Sequence, residues 1–455
     1  VAELMRNTDA FTWAMEHDPG LRSTIVTVFR LDRSPDWAAL VDRFERVARE
    51  LPMFRERVVE ILPPAPPRWE SDPDFDLAYH LRRVTAPEPG SFDQVLEMAR
   101  RAEMADFDRA RPLWEVTLVD GLEGGQAALL CKLHHALTDG VGGVEIAMIL
   151  FDLERDVLAR GPLPPAPPVE PAPPSGWQES TRYDLGVATS AARLVVRRGP
   201  GAVATLVRHP LGSVREVAAT AASVYRTVRP INQTGSPLMR GRRLVRDLSV
   251  HEVPLADLKA AAKRAEASLN DAFLAGVTGG LRLYHEKHGV EVGDLHVTMP
   301  VSLRTDDDPM GGNRITLMRF DLPAGILDPE ERLRRTRARA VFVRSERSLP
   351  HTQLIAGALN LVPRWYIASI LRHVDFLASD VPGIPVPVYI AGAAVQMQYA
   401  FGPTIGAAVN VTLMTYVDTC ALGINVDTGA IPDVEVFHDC LVAGFEEVLA
   451  LARDR

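Results

Sequence analysis

The chain has 455 residues, of which 47% are hydrophobic and 24% charged, and a formal net charge of -9. A chain of this length buries about three quarters of its unfolded surface, and one core would be unusually large, so two domains are expected. The composition excludes a disordered or fibrous chain, the acidic sum argues against a nucleic-acid partner, and Cys131, Cys420 and Cys440 are too scattered for a disulfide scaffold or a cysteine zinc site.

The first residues carry Glu3, Arg6, Asp9, Glu16 and Asp18, where a signal peptide needs an apolar core. No window reaches the roughly 18 to 20 apolar residues of a membrane-spanning helix. A cytoplasmic protein is expected, with peripheral contact to a membrane or lipid droplet surface left open.

A period-two pattern over residues 21–31 predicts a strand. Ser34 and Pro35 read as the cap and first turn of a helix ending at Glu50. Ser91 with Gln94 makes a capping box for a second helix, reaching about Met104. Two strand-like runs, 113–119 and 127–133, are joined by the turn-rich DGLEGG and read as a hairpin. Residues 141–150 look helical, with an apolar side to pack on that sheet.

Residues 161–175, GPLPPAPPVEPAPPS, place eight prolines in fifteen positions. Missing amides and ring clashes exclude helix there and disfavour a central strand. The run reads as a stiff linker between an N-terminal domain, residues 1–160, and a C-terminal domain, residues 176–455. A long surface loop within one domain is the alternative.

Beyond it, residues 187–228 look like one or two helices. Ser268 and Asp271 cap a helix running through about Lys287, and residues 295–303 read as a strand. Residues 355–374 are largely apolar, interrupted by Arg364, Arg372 and His373; a core helix or an amphipathic face near lipid would fit. Strands are expected at 387–398, 407–415 and 419–426, then a helix from about Val434. Asn425, Asp427 and Asp433 read as turn residues. The fold class is α/β with mixed or antiparallel sheets in both halves. Neither a GxGxxG nor a GxxxxGK loop is present, which argues against a tightly bound nucleotide.

The sharpest feature is His134-His135-Ala136-Leu137-Thr138-Asp139-Gly140, an HHxxxDG pattern that closes a strand and enters a glycine-rich turn. Imidazole is the side chain best suited to taking a proton near neutrality. Adjacent residues of an extended segment point to opposite faces, so one histidine should reach a substrate while the other holds the turn. Metal binding is the competing reading, but neither a facing pair one residue apart nor the HExxH spacing is present. A purely structural role for both is the third. No GxSxG frame exists, and Cys131 reads as strand core. A lone base without a protein nucleophile suits direct attack by an activated substrate hydroxyl.

HHxxxDG resembles the box of the coenzyme A-dependent acyltransferase superfamily, which includes chloramphenicol acetyltransferase and peptide-synthetase condensation domains. Pro112-Leu113-Trp114-Glu115 resembles the PLWE motif, and Asn270-Asp271 the ND motif, of the bacterial wax ester synthase/diacylglycerol acyltransferase family. Pro300-Val301-Ser302-Leu303-Arg304, Gly312-Asn313, Gly402-Pro403 and Asn410-Val411-Thr412 resemble its downstream boxes. Asp9-Ala10-Phe11 and Glu16 resemble its opening segment, so the likeness spans nearly the whole chain in order. Two stretches depart from the family. Its SNVPGP is here Ser379-Asp380-Val381-Pro382-Gly383-Ile384, and its PMHVG-like stretch reads Pro19-Gly20-Leu21-Arg22-Ser23.

The resemblance implies two chloramphenicol acetyltransferase-like domains around a central channel, with the catalytic histidine at its middle. It implies His135 as general base, His134 as the less direct member, and Asp139 as organiser of the loop, with Arg304 as candidate ionic partner. Gly140 or Asn270 would face the oxyanion, with Asp271 in support. Pro112, Trp114 and Asn313 are weaker candidates for a tunnel wall, and packing is the plainer role for a strand tryptophan. The substrates implied are acyl-coenzyme A and diacylglycerol or a long-chain alcohol, with no bound cofactor and no metal. Arg240, Arg242, Arg243 and Arg246 form a basic patch for coenzyme A phosphates or an anionic membrane, or simply a solvated face. The alternatives are a same-fold enzyme with a polyketide, glycolipid or small polar acceptor, and a non-catalytic lipid-binding protein. The complete box argues against the last, because binding alone needs no positioned base.

Overall fold

The computed structural model describes residues 3–62, 65–137, 142–156, 160–168, 229–302, 315–344, 352–359, 362 and 364–453. The first half runs α1 (Asn7–Met15), β1 (Thr24–Leu31), α2 (Trp37–Glu50), β2 (Glu56–Val59), β3 (Arg68–Ser71), α3 (Leu77–His80), β4 (Leu81–Thr85), α4 (Phe92–Met104), β5 (Trp114–Asp120), β6 (Ala127–His134) and α5 (Gly142–Leu150). The second half opens with β7 (Arg246–Pro254), α6 (Leu255–Arg264), α7 (Leu269–Lys287), β8 (Asp294–Ser302), β9 (Ile315–Pro323) and α8 (Pro329–Arg344). It closes with α9 (Thr352–Leu359), α10 (Arg364–Leu371), β10 (Phe376–Ile384), β11 (Tyr389–Ile390), β12 (Ala393–Phe401), β13 (Val409–Tyr416), β14 (Thr419–Asp427) and α11 (Val434–Arg453).

Two six-stranded sheets result, ordered β11-β12-β1-β6-β5-β4 and β7-β14-β13-β10-β8-β9. Both are mixed: β4 runs parallel to β5, and β10 parallel to β13 and β8, among otherwise antiparallel pairs. The expected hairpin forms, with Trp114 opposite Leu133. β6 lies at the centre of its sheet and is buried along almost its whole length, Lys132 included. The first sheet is not made by the first half alone. β11 and β12 reach over from the second half, and Phe401 pairs with Val26 of β1.

Local chemistry explains the helix ends. α2 is capped by Asp36, whose carboxylate accepts the Ala39 amide at 2.8 Å, so the helix begins at Trp37, later than the Ser34-Pro35 reading. Its Leu40, Phe44 and Val47 are buried at helical spacing and form one face of the first core. Burial of each contributes on the order of 1.5–3 kcal/mol. Both capping boxes form, at Ser91 with Gln94 and at Ser268 with Asp271. α7 then packs on α11 so closely that a Cβ on Gly444 would stand 2.1 Å from the Gly280 amide. The single helix expected over 355–374 is instead two, α9 and α10, and strand β10 follows.

The described part of the proline run lies along α2, where Arg46 and Arg49 donate to the carbonyls of Gly161 and Pro164 at 3.0 and 2.8 Å. The helices expected over 187–228 lie outside the described residues. Among the described residues no helix is long and apolar enough to cross a membrane.

The seam between the sheets is polar and buried. Asn410 donates to the Pro403 carbonyl at 2.6 Å, and Asn425 to the Gly402 carbonyl at 3.0 Å and to Glu103 at 3.3 Å. Gly402-Pro403 and Asn410-Val411-Thr412 thus meet here, at the end of the crossing strand. A Cβ on Gly423 would sit 2.0 Å from the Ala400 carbonyl, so β14 can approach β12 only through glycine. Asn425 and Asp427, read as turn residues, are buried members of β14. Their side chains find partners across the seam that a sequence window does not contain.

Candidate active site

The histidine pair stands at the open end of β6. His134 is its last residue, opposite Thr24 of β1, and its amide donates to the Leu113 carbonyl at 3.0 Å. His135 steps off the strand, its amide held by the Ser23 carbonyl at 2.9 Å. This divides the two rings. His134 is 1% exposed, whereas His135 is half-buried.

The His134 ring is fixed on every side. Its Nδ1 accepts the Ala136 amide at 3.1 Å, so in the neutral ring the proton belongs on Nε2. Nε2 lies 3.2 Å from the Glu16 carboxylate, in an approach that is electrostatic more than directional. Trp13 and Phe107 meet the same ring edge-on, with centroids 5.7 and 6.1 Å away. Glu16 also accepts the Ser23 amide at 2.5 Å. Burial raises its pKa, but the His134 contact and the Ser23 amide outweigh that and hold the carboxyl below its ordinary value. One carboxylate therefore fixes the His134 ring and the backbone segment that holds His135.

Glu16 was legible only as part of a resembling opening segment, since nothing in its spacing announces a partner so far along the chain. We expect Glu16→Gln to reduce turnover by about tenfold with little change in unfolding midpoint, because it keeps an acceptor for Ser23 but removes the charge facing His134. Steady-state kinetics beside thermal unfolding would check this. Unchanged kcat would remove Glu16 from the site.

Asp139, Gly140, Arg304 and Asn313 lie outside the described residues. Asn270 is 7% exposed, and its Nδ2 meets no acceptor among the described residues. Asp271 is committed to its cap, accepting the Ser268 amide and hydroxyl, each at 2.8 Å. No bond joins either residue to the histidine pair among the described residues. Pro112 is buried next to Leu113, whose carbonyl holds the His134 amide.

Trp114 is enclosed by protein, stacked on His80 at 4.5 Å and Phe44 at 6.1 Å, with its Nε1 donating to the Phe54 carbonyl at 2.9 Å. It belongs to the first core. The arginine patch also separates. Arg246 is buried against Asp427 at 2.7 Å, and Arg242 donates to the carbonyls of Gly406 and Val374. Arg240 and Arg243 are exposed. No cluster of histidine, cysteine, aspartate or glutamate among the described residues could hold a metal ion.

Comparison with known proteins identifies the family. Residues 5–273 match the wax ester synthase/diacylglycerol acyltransferase catalytic domain, and residues 311–448 match the WS/DGAT C-terminal domain. The chain belongs to this family. A putative diacylglycerol O-acyltransferase of Mycobacterium tuberculosis is 38% identical over 443 residues, covering 96% of this chain and 90% of its own. Another from that organism is 31% identical over 455 residues, covering 94% and 93%. In fold, the wax ester synthase/diacylglycerol acyltransferase of Marinobacter aquaeolei VT8 superposes with a TM-score of 0.64 at 19% identity, over 99% of this chain and 100% of that one. The first condensation domain of the calcium-dependent antibiotic synthetase gives 0.64 at 14% identity, over 100% and 97%. This WS/DGAT chain is an acyltransferase, built on the two-sheet fold those structures share.

Proposed function

We propose that this acyltransferase moves a long-chain acyl group from acyl-coenzyme A to the hydroxyl of diacylglycerol or a fatty alcohol, with His135 as general base. The observation that carries the reading is the division of labour in the HHxxxDG box: one imidazole locked in the core by Glu16, the next half-exposed beyond the strand end.

His135 takes the acceptor's hydroxyl proton as the oxygen attacks the thioester carbon. The tetrahedral intermediate then collapses, the C–S bond breaks, and the thiolate recovers that proton from the imidazolium. No acyl-enzyme is needed. Met15 and Leu21, on either side of Glu16 in sequence, belong to a buried cluster with Ile367, Ile370 and Leu371 of α10, which anchors the segment carrying Glu16. A channel between the sheets would hold both reactants in line, supplying the orientation that lets a single base suffice. The acceptor would be drawn from a lipid surface that the protein meets peripherally.

The test is release of coenzyme A from palmitoyl-coenzyme A, run in parallel with dispersed diolein, hexadecanol and no acceptor. Release that depends on either lipid supports the reading, and the faster acceptor names the product as triacylglycerol or wax ester. If folded protein releases none with either lipid, the neutral-lipid assignment fails, and polar or carrier-bound acceptors become the ones to assay.

A further inference from the structure

The connection into β7 carries chemistry that acyl transfer at His135 does not use. From Leu238 to Arg246 the chain holds four arginines and no acid. Two of them are committed within the protein. Arg242 donates to the carbonyls of Met239, Gly406 and Val374 at 2.7, 2.7 and 2.9 Å, and Arg246 pairs with Asp427 at 2.7 Å. The backbone is fixed as well. The Arg243 amide donates to Asp427 at 2.9 Å, and the Val245 carbonyl accepts the Thr428 amide at 3.1 Å. A Cβ on Gly241 would stand 2.1 Å from the Gly429 carbonyl, so only glycine lets the loop lie this close to the sheet.

This fixed loop presents Arg240, Arg243, Leu244 and Val245 to solvent. All four are exposed, Leu244 by 54% and Val245 by 49%. Neither the Arg240 nor the Arg243 guanidinium has a hydrogen-bond or ion-pair partner among the described residues. A solvated loop would account for the arginines, but not for two adjacent aliphatic side chains held outward on a fixed backbone. The loop also lies near the segment that leads to the histidines. Gly406, whose carbonyl accepts from Arg242, stands against Leu21, where an added Cβ would be 3.2 Å from Leu21 Cδ2. Two residues on is Ser23, whose carbonyl holds the His135 amide.

We propose that residues 240–245 dock the protein on an anionic lipid surface, with Arg240 and Arg243 on headgroup phosphates and Leu244 and Val245 in the hydrocarbon boundary. The charge and the apolar pair together match that layer, anionic outside and apolar just beneath. Docking needs no turnover, so it is independent of acyl transfer at His135.

Flotation of the full chain with vesicles of phosphatidylcholine, alone or mixed with phosphatidylglycerol, tests this. Wild-type protein should float with the mixed vesicles, less with phosphatidylcholine alone, and less as salt rises. Arg240→Gln with Arg243→Gln should weaken that binding by about tenfold or more, since each arginine near such a surface contributes about fivefold. Leu244→Ser with Val245→Ser should weaken it by about tenfold through lost apolar burial. All four side chains are exposed, so both variants should keep the wild-type unfolding midpoint. Absence of binding to mixed vesicles would overturn the proposal, as would equal binding to phosphatidylcholine alone. So would an affinity within about twofold of wild type in either variant. A wild-type dimer that the Leu244→Ser, Val245→Ser variant loses in sedimentation would instead give this face to a second copy of the chain.

Discussion

Replacing His135 with alanine should leave a folded enzyme whose acceptor-dependent release of coenzyme A falls by about a hundred to ten thousandfold. The fold should survive because the backbone at 135 is tied through its amide to Ser23, a bond that alanine keeps. The ring is also half-buried, so its loss opens little cavity. The matched control is His134→Ala. That ring is 1% exposed, accepts the Ala136 amide and faces Glu16, so its removal should lower both activity and unfolding midpoint. The contrast separates a chemical role from a supporting one. A His135→Ala enzyme that retains more than a tenth of wild-type turnover would exclude this imidazole as the base.

The strand that presents the histidine pair was more legible than the contacts around it. HHxxxDG lies at the end of a strand that is apolar but for Lys132, and the DGLEGG turn fixes the hairpin that presents it, so composition and turn chemistry agree there. The capping boxes were readable for the same local reason. β7 was missed because its sequence, RDLSVHEVP, intersperses charge through an edge strand and offers no apolar run. The long helix expected over 355–374 ignored Pro363, a breaker already present in the sequence. Glu16 and His134 are brought together by the pairing of β1 with β6, which sets Thr24 opposite His134 and which no window of sequence contains. Asn425 and Asp427 show the opposite failure: their residue types favour turns, but buried partners on other elements place them in a strand.

That misreading points to the largest expected effect on stability. Asp427→Ala should destabilise the protein by about 3–5 kcal/mol, because it leaves the Arg246 guanidinium buried without its counter-charge. Arg246 and Asp427 are 6% and 1% exposed, and their Nη1–Oδ2 distance is 2.7 Å. The same carboxylate accepts the amides of Arg243 at 2.9 Å and Gly429 at 2.8 Å, so the connections leading into β7 and out of β14 loosen together. Arg246 also joins the halves. Its amide meets Met104 Sδ at 3.4 Å and its carbonyl accepts from Arg100 at 3.4 Å. Arg22 donates to the Met104 carbonyl at 2.6 Å, one residue before the Ser23 that holds His135. Denaturant unfolding should therefore show an earlier midpoint, accompanied by reduced turnover. The paired change Arg246→Met with Asp427→Leu should recover much of the loss, since an apolar pair leaves no unmatched charge. A single Asp427→Ala chain with an unchanged midpoint would mean that the seam is held by its apolar contacts and the Asn410 and Asn425 bonds, and that this ion pair sets geometry without adding stability.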